Sequence, residues 1–289
     1  MARRHPCPDD GIWPLVRSRA DAARRSGALR PVVTRMAYIR DGGIEFAVRV
    51  AGGLKDKEAA GRGDHRHVNP FSPPEPELVV AGLSPTHYCL LNKFNVIDDH
   101  LLVATHRFVD QRAPLGLADF DALAACMRGR ASLGFYNAGR EAGASQAHRH
   151  LQVVPLPLAP DGPGLPAESL IGHPRPGGPP ERRDGLPFPH ALIGTAPDAG
   201  ARAVRDAYLA VLEATGLRPA AGSGWLPPYN LLVDRQWMML VPRARDEVDG
   251  IPVNALGYAG SLLVRDEAGL ARLRRAGPLN VLARAACAA

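Results

Sequence analysis

Residues 137–157 read NAGREAGASQAHRHLQVVPLP, and the fold turns on how that stretch is read. Just before it ends its first turn, Leu133-Gly-Phe-Tyr-Asn137 is an apolar run closing on a polar residue, the pattern of a buried strand. Gly139 and Gly143 then break the backbone, and from His148 to Val154 the chain is apolar and β-prone again. Side chains along a strand alternate between its faces. His148, His150 and Gln152 therefore share one face, and Arg149, Leu151 and Val153 share the other. The pattern predicts two neighbouring strands joined by a glycine loop, with two imidazoles and an amide lined up behind the loop.

Those residue types suit one kind of chemistry. Glycines let backbone N–H groups approach a ligand closely, and Ser145 and Gln146 add small polar side chains, a combination that fits phosphate. A neutral imidazole can attack phosphorus in line and split one difficult transfer into two easier ones. Two plainer readings compete. Most His-x-His pairs are hydrogen-bonded strand residues, and alternating histidines can also share a zinc ion. Neither accounts for an asparagine, two glycines, a serine and a glutamine immediately upstream.

The spacing N-x-G-x3-G-x-S-x2-H-x-H-x-Q resembles the histidine-triad signature in its nucleotidyl-transferring branch, where glutamine takes the place of the third histidine. More closely, FYNAGREAGASQAHRHLQVVPLPL resembles the ATP adenylyltransferases, also called diadenosine tetraphosphate phosphorylases, as do LLNKFNVIDDHLLVAT (residues 90–105) and LPFPHA (residues 186–191). The resemblance runs from about Phe46 to the C-terminus and is weakest in the proline-rich stretch. It implies an α+β fold: an antiparallel sheet core of histidine-triad type, helices on one side and a C-terminal extension of the sheet.

Carried over residue by residue, it makes His150 the nucleophile, places Gln152 at the triad's third position and gives His148 an orienting role. Asn137, Gly143, Ala144, Ser145 and Gln146 would hold phosphate and ribose. A lysine soon after the strand Ile44–Val50, Lys57 in preference to Lys55, would meet the polyphosphate, and Asn92 and Lys93, which read as polar residues interrupting an otherwise apolar strand, would contact substrate. Met239 and Arg243, on the second strand of a hairpin read over 229–243, are the candidate contacts on the far side of the nucleotide, Arg243 because a charge on that apolar face wants an anion. The implied reaction is phosphorolysis of diadenosine tetraphosphate to ATP and ADP, and its reverse, through AMP on the histidine. Magnesium would arrive with the nucleotide, with no dedicated metal cage. Another acceptor such as sulfate or a sugar phosphate, hydrolysis, and a nucleotide sensor without turnover stay open.

The rest of the chain sets bounds. Its 289 residues suffice for one large domain or two smaller ones. We divide it into 1–156 carrying the nucleophile, a Pro/Gly-rich loop at 157–190 that follows the catalytic strand and is expected to cover the site, and a C-terminal part at 191–289. No long apolar run predicts a membrane span, and MARRHPCPDDGIWP does not look like a signal peptide. Four scattered cysteines without Cys-x-x-Cys spacing fit reduced thiols in a cytoplasmic protein. The net charge of +6 comes from dispersed arginines without an aromatic platform, so nothing singles out nucleic acid; small polyanionic substrates and ordinary drift explain it equally well, and the resemblance implies nucleotides as partners, with no nucleic acid or membrane. Only three lysines stand among 35 basic residues, so each is a candidate point charge for phosphate. A second His-Arg-His, at 65–67, has neither a glycine loop before it nor an apolar strand after it and is assigned no chemistry.

Overall fold

The computed structural model describes residues 11–52, 69–160, 162, 164–219 and 222–286. Helix α1 (Trp13–Ser26) stops where Gly27 turns left-handed at φ 76°. Strands β1 (Thr34–Asp41) and β2 (Ile44–Ala51) form a hairpin through Gly42 and Gly43.

The centre of the molecule is one eight-stranded sheet in which every pairing is antiparallel. Its strands are β3 (Val79–Gly82), β4 (His87–Leu91), β5 (Leu101–Thr105), β6 (Ser132–Ala138), β7 (His150–Pro155), β8 (Ala191–Gly194), β9 (Tyr229–Val233) and β10 (Trp237–Pro242). They lie in the order β3-β4-β5-β7-β6-β9-β10-β8. The regions before and after the proline-rich stretch meet inside this sheet, where β6 pairs with β9 and Asn137 stands opposite Asn230. Both faces are covered, which is why the strands read as apolar runs rather than as alternating patterns.

One face is roofed by α1, α2 (Leu117–Met127) and, past the short turn α3 (Glu168–Ile171), α4 (Ala201–Ala214). Leu151, Val153 and Tyr136 point toward Leu123, Tyr208 and Val211 there. A Cβ on Gly134 would come within 3.0 Å of both Leu123 and Met127, so α2 rests directly on the backbone of β6. The other face meets the ribbon β11 (Glu247–Val248) and β12 (Ile251–Pro252), α5 (Ala255–Tyr258), β13 (Ser261–Val264), α6 (Glu267–Ala276) and α7 (Pro278–Ala285). Strand β13 pairs in parallel with β2, Leu262 against Val48, and builds a small second sheet. Residues 254–264 look merely small and apolar in sequence, so this parallel pairing goes unread there.

Two further expectations change. The proline-rich stretch does not cover the site. Leu158, Leu165, Ile171, Leu186 and Phe188 lie between its prolines and sink into the core, and Glu181 bridges to Leu192 at the edge of β8. Asn92 and Lys93 do not interrupt a strand; β4 ends at Leu91, and residues 92–100 form a connection in which Asp99 takes φ 56°.

Candidate active site

The apolar packing on the second face is split. Leu133, Phe135 and Val154 belong to the main core, whereas Phe71, Tyr88, Leu90 and Ala104 form a separate patch. The gap between them is a cavity of about 400 Å³, and the polar residues of β6 and β7 face into it. Asn137, Gly143, Ser145, Gln146, His150, Gln152, Asn92 and Lys93 all line it, together with Arg49, Glu75, His100, Asn254 and Ser261. A second cavity, of about 680 Å³, shares the wall formed by Gly143, Ser145, Gln146, Asn254 and Ser261. It adds Arg112, Arg140, Arg265, Glu141, Asp246 and Ala144. The two spaces thus meet at the glycine loop.

The loop opens because β6 and β7 part company. Their ladder runs from Ser132↔Pro155 to Phe135↔Gln152 and then stops. Where Asn137 and His150 would pair next, the buried amide of Gln111 is inserted. Gln111 Nε2 donates to Asn137 O (2.9 Å) and His150 O (3.1 Å), and Gln111 Oε1 accepts from His150 N (2.8 Å). One side chain stands in for a rung of the sheet and holds the strand ends apart. Gly143, at φ 91°, lets the loop cross the chain at 253–254, where a Cβ would meet Asn254 Cβ and Val253 O at 2.9 Å. The N–H groups of Gly143 and Ala144 are consumed within the loop, on Arg140 O and Gly139 O. Those of Ser145 and Gln146, residues that line both cavities, take no partner among the described residues.

His150 is the centre of this geometry. Its Nδ1 donates to the backbone carbonyl of His148 at 2.9 Å, so the hydrogen sits on Nδ1 and the Nε2 lone pair is left for the cavity. Burial lowers its pKa from 6.5 to about 4, with the charge of His148 adding to that and the carbonyl bond opposing it. The imidazole is therefore neutral at pH 7. Phe71 lies over it, with ring centroids 5.0 Å apart.

His148 has another fate, although it is only two residues away. It precedes β7, in a bridge to Asp110, and lines neither cavity. Its ring is pinned by Asn69 Nδ2 (2.8 Å) and by the hydroxyl and carbonyl of Thr105 (both 2.9 Å), between Phe71 and Phe108. Its contribution to the site is the carbonyl oxygen that holds His150.

The remaining expected contacts divide. Asn137 Oδ1 accepts from Asn230 Nδ2 (2.8 Å) and from Ala255 N (3.0 Å), so any contact it makes with a ligand runs through its amide N–H. Lys93 Nζ is clasped by both carboxylate oxygens of Glu75, at 2.7 and 2.9 Å, on the cavity rim. Lys55, Lys57 and the histidines at 65–67 lie outside the described residues. Met239 and Arg243 are not brought to the cavity. Met239 is buried opposite Leu192 and Leu232. Arg243 sits behind the glycine loop, where its guanidinium donates to Ala285 O (3.1 Å), Val253 O (3.0 Å), Ala142 O (3.4 Å) and Asn230 Oδ1. The anion expected beside this charge is replaced by carbonyl oxygens, including one at the negative end of α7. Arg243 thereby steadies Asn230, which in turn holds Asn137.

Sequence reasoning missed Gln111, Asn230, His100, Asn254 and Arg49. Only Arg49 carried a signal, a charge inside the apolar run of β2. It is buried, donates to Val96 O (3.0 Å) and Leu158 O (2.8 Å), and burial lowers its pKa.

Residues 2–173 match the family of the Ap4A phosphorylase N-terminal domain, and residues 184–288 match the ATP adenylyltransferase C-terminal domain. Diadenosine 5',5'''-P1,P4-tetraphosphate phosphorylase 2 of Saccharomyces cerevisiae is 27% identical over 291 residues, spanning 87% of this chain and 86% of the yeast protein. The crystal structure of yeast Ap4A phosphorylase Apa2 superposes with a TM-score of 0.79 at 22% identity, covering 99% of this chain and 98% of the other. The same yeast protein in complex with Ap4A gives 0.78 at 23% identity, covering 99% and 98%. The structural likeness spans nearly the whole chain, and the two family matches leave only 174–183 between them.

Proposed function

This chain belongs to the family of Ap4A phosphorylases and ATP adenylyltransferases, and from that premise we infer that it cleaves diadenosine tetraphosphate with phosphate to give ATP and ADP. The observation that carries the reading is His150: a buried, neutral imidazole whose tautomer is fixed and whose lone pair faces a cavity lined by Asn137, Ser145 and Gln152.

His150 Nε2 attacks the α-phosphorus, the bond from phosphorus to the bridging oxygen breaks, and ATP leaves. AMP stays bonded to the imidazole. An oxygen of inorganic phosphate then attacks the same phosphorus, the P–N bond breaks, and ADP leaves with the Nε2 lone pair restored. No proton has to be delivered to the leaving group, because a nucleoside polyphosphate is stable as an anion. Gln152 matches that requirement. It donates a hydrogen bond but does not titrate, unlike the histidine it replaces. Water attacking AMP on the imidazole would want a base, whereas phosphate arrives already anionic, so the glutamine favours phosphorolysis over hydrolysis.

The first cavity takes the reacting AMP, with Leu90, Leu102 and Phe71 for the nucleoside and the loop for phosphate. The second takes the departing polyphosphate and its nucleoside, with Arg112 and Arg140 in its wall. Magnesium enters with the polyphosphate as part of the substrate, by its preference for phosphate oxygens. Nucleotides are the partners, rather than nucleic acid or membrane, and the cytoplasm is the location. Among the described residues Cys89 and Cys126 are unbridged, and no helix is long and apolar enough to cross a membrane.

Incubation with diadenosine tetraphosphate, with and without phosphate, and chromatography of the products tests the reading. ATP and ADP in equal amounts, formed only with phosphate, are expected. AMP as the main product in the presence of phosphate would make the protein a hydrolase.

A further inference from the structure

Gln152 can serve as a donor only if the correct end of its amide faces the cavity, and a chain of hydrogen bonds settles which end that is. The chain starts from a group with no choice. The backbone N–H of Phe94 donates to Asn92 Oδ1 at 3.3 Å, so the other end of that side chain, Nδ2, faces His100 Nδ1 at 3.2 Å. An amide nitrogen can only donate, so Nδ1 of His100 accepts. The ring therefore carries its hydrogen on Nε2, which lies 2.9 Å from Gln152 Oε1. With its oxygen accepting from His100, Gln152 turns its amide N–H groups into the cavity, on the face it shares with His150. His100 and Gln152 are both buried, and the imidazole packs against Phe135 with ring centroids 5.7 Å apart.

We infer that His100 is a positioning residue for adenylyl transfer: with Asn92 it fixes the amide of Gln152 so that its N–H donates to a non-bridging oxygen of the α-phosphate while His150 attacks. This rests on the assignment of His150 as the nucleophile given above. His100 itself need not touch substrate. A glutamine whose amide could flip would present its carbonyl oxygen to the phosphate part of the time, replacing attraction by repulsion where charge develops. Asn92 then belongs to the site mainly as the group that selects the His100 tautomer.

The test is a double-mutant cycle read by single-turnover formation of AMP-histidine from diadenosine tetraphosphate, with circular dichroism confirming folding. Gln152→Ala is expected to slow transfer about 100-fold, the scale for loss of one preorganised donor. His100→Leu is expected to slow it about tenfold or more with KM little changed. His100→Gln, which can accept from Asn92 and donate to Gln152, is expected to recover most of that loss. The pair His100→Leu with Gln152→Ala is expected to be no slower than Gln152→Ala alone, because the imidazole has then nothing left to position. A second readout is stereochemical. ADP–phosphate exchange with the two diastereomers of adenosine 5′-O-(1-thiodiphosphate) should discriminate in the wild-type protein, and the ratio should fall toward one in His100→Leu. Additive losses in the cycle, or an unchanged diastereomer ratio, would overturn the inference while leaving the proposed reaction standing. A wild-type protein that forms no AMP-histidine would overturn both.

Discussion

The two cavities share a wall yet are built on opposite terms. The smaller is lined by aliphatic and aromatic side chains, and the polar groups in it are held by fixed partners: His150 by a carbonyl, Asn137 by Asn230 and Ala255, Gln152 by His100. The larger is lined by charges of both signs, and its arginines stand on flexible stems near the surface. Arg112 is paired with Asp110 at 3.0 Å and stacked over Trp225 at 3.7 Å from the ring centroid. Chemistry that needs a lone pair at a set distance from phosphorus belongs in the first, where nothing has to reorganise. A polyphosphate of variable length belongs in the second. On the proposed reaction, the molecule would separate where bonds are made from where charge is accommodated.

The strongest test of that division is His150→Ala. Transfer should fall at least about 1000-fold, the level at which positioning alone still contributes, while the second cavity keeps its affinity for ATP. Mass spectrometry for a covalent AMP, with ATP titration in parallel, checks both halves. His148→Ala should be far milder, since the carbonyl that orients His150 survives the substitution.

Gln111→Ala should damage the first cavity through its frame. It strands Asn137 O together with the N–H and carbonyl of His150, and leaving a buried group unpaired costs about 1–3 kcal/mol. A loss of about 3 kcal/mol in chemical denaturation is expected, with transfer reduced in the fraction that stays folded. Wild-type stability in this variant would mean that the strand ends hold apart without the wedge.

Acid separates the cavities by window. The pKa of His150 is lower in the folded protein than in the unfolded chain, so the unfolded state binds the extra proton and stability falls as pH drops from about 6.5 to about 4. A shift of that size corresponds to about 3 kcal/mol. Asp110 is held below its usual 3.8, chiefly by its hydrogen bond from Arg112, and its contribution is lost only at lower pH. Urea titrations of wild type and His150→Gln across pH 7 to 4 should differ in slope in the first window alone. Transfer by the neutral imidazole should correspondingly show no acid limb near pH 6.5 arising from His150.

Arg112→Ala should raise KM for diadenosine tetraphosphate by about tenfold, the cost of one charge-assisted phosphate contact, and KM for ADP by much less, because ADP engages the first cavity. Equal effects on both would merge the two sites into one. The smallest expected effect is the most specific. Gln152→His should raise the ratio of AMP to ADP severalfold at fixed phosphate, because a titrating group beside the intermediate activates water. An unchanged ratio would detach the choice of acceptor from this residue.

Much of this was legible in residues 133–157. Alternation placed His148, His150 and Gln152 on one face, and glycines marked the loop, because strand period and left-handed backbone are local properties. Helical spacing, as in Phe120, Leu123 and Met127 or Val204, Tyr208 and Val211, and stops such as Gly27 mark α1, α2 and α4 by the same kind of local signal. What lay beyond reach was everything decided by which distant side chain arrives at a given backbone group. Gln111 and Asn230 carry no local signature, and each earns its role only by lying opposite a strand end. Arg243 looked like an anion seeker until the tertiary structure surrounded it with carbonyl oxygens, and the proline-rich stretch looked like a cover until its few apolar residues found the core. His148 and His150 show the same limit at the shortest range. The sequence determined that a histidine on this strand stands behind a glycine loop. Only the packing of Asn69, Thr105 and two phenylalanines around one ring, and an open cavity before the other, decided which of the two presents a lone pair to it.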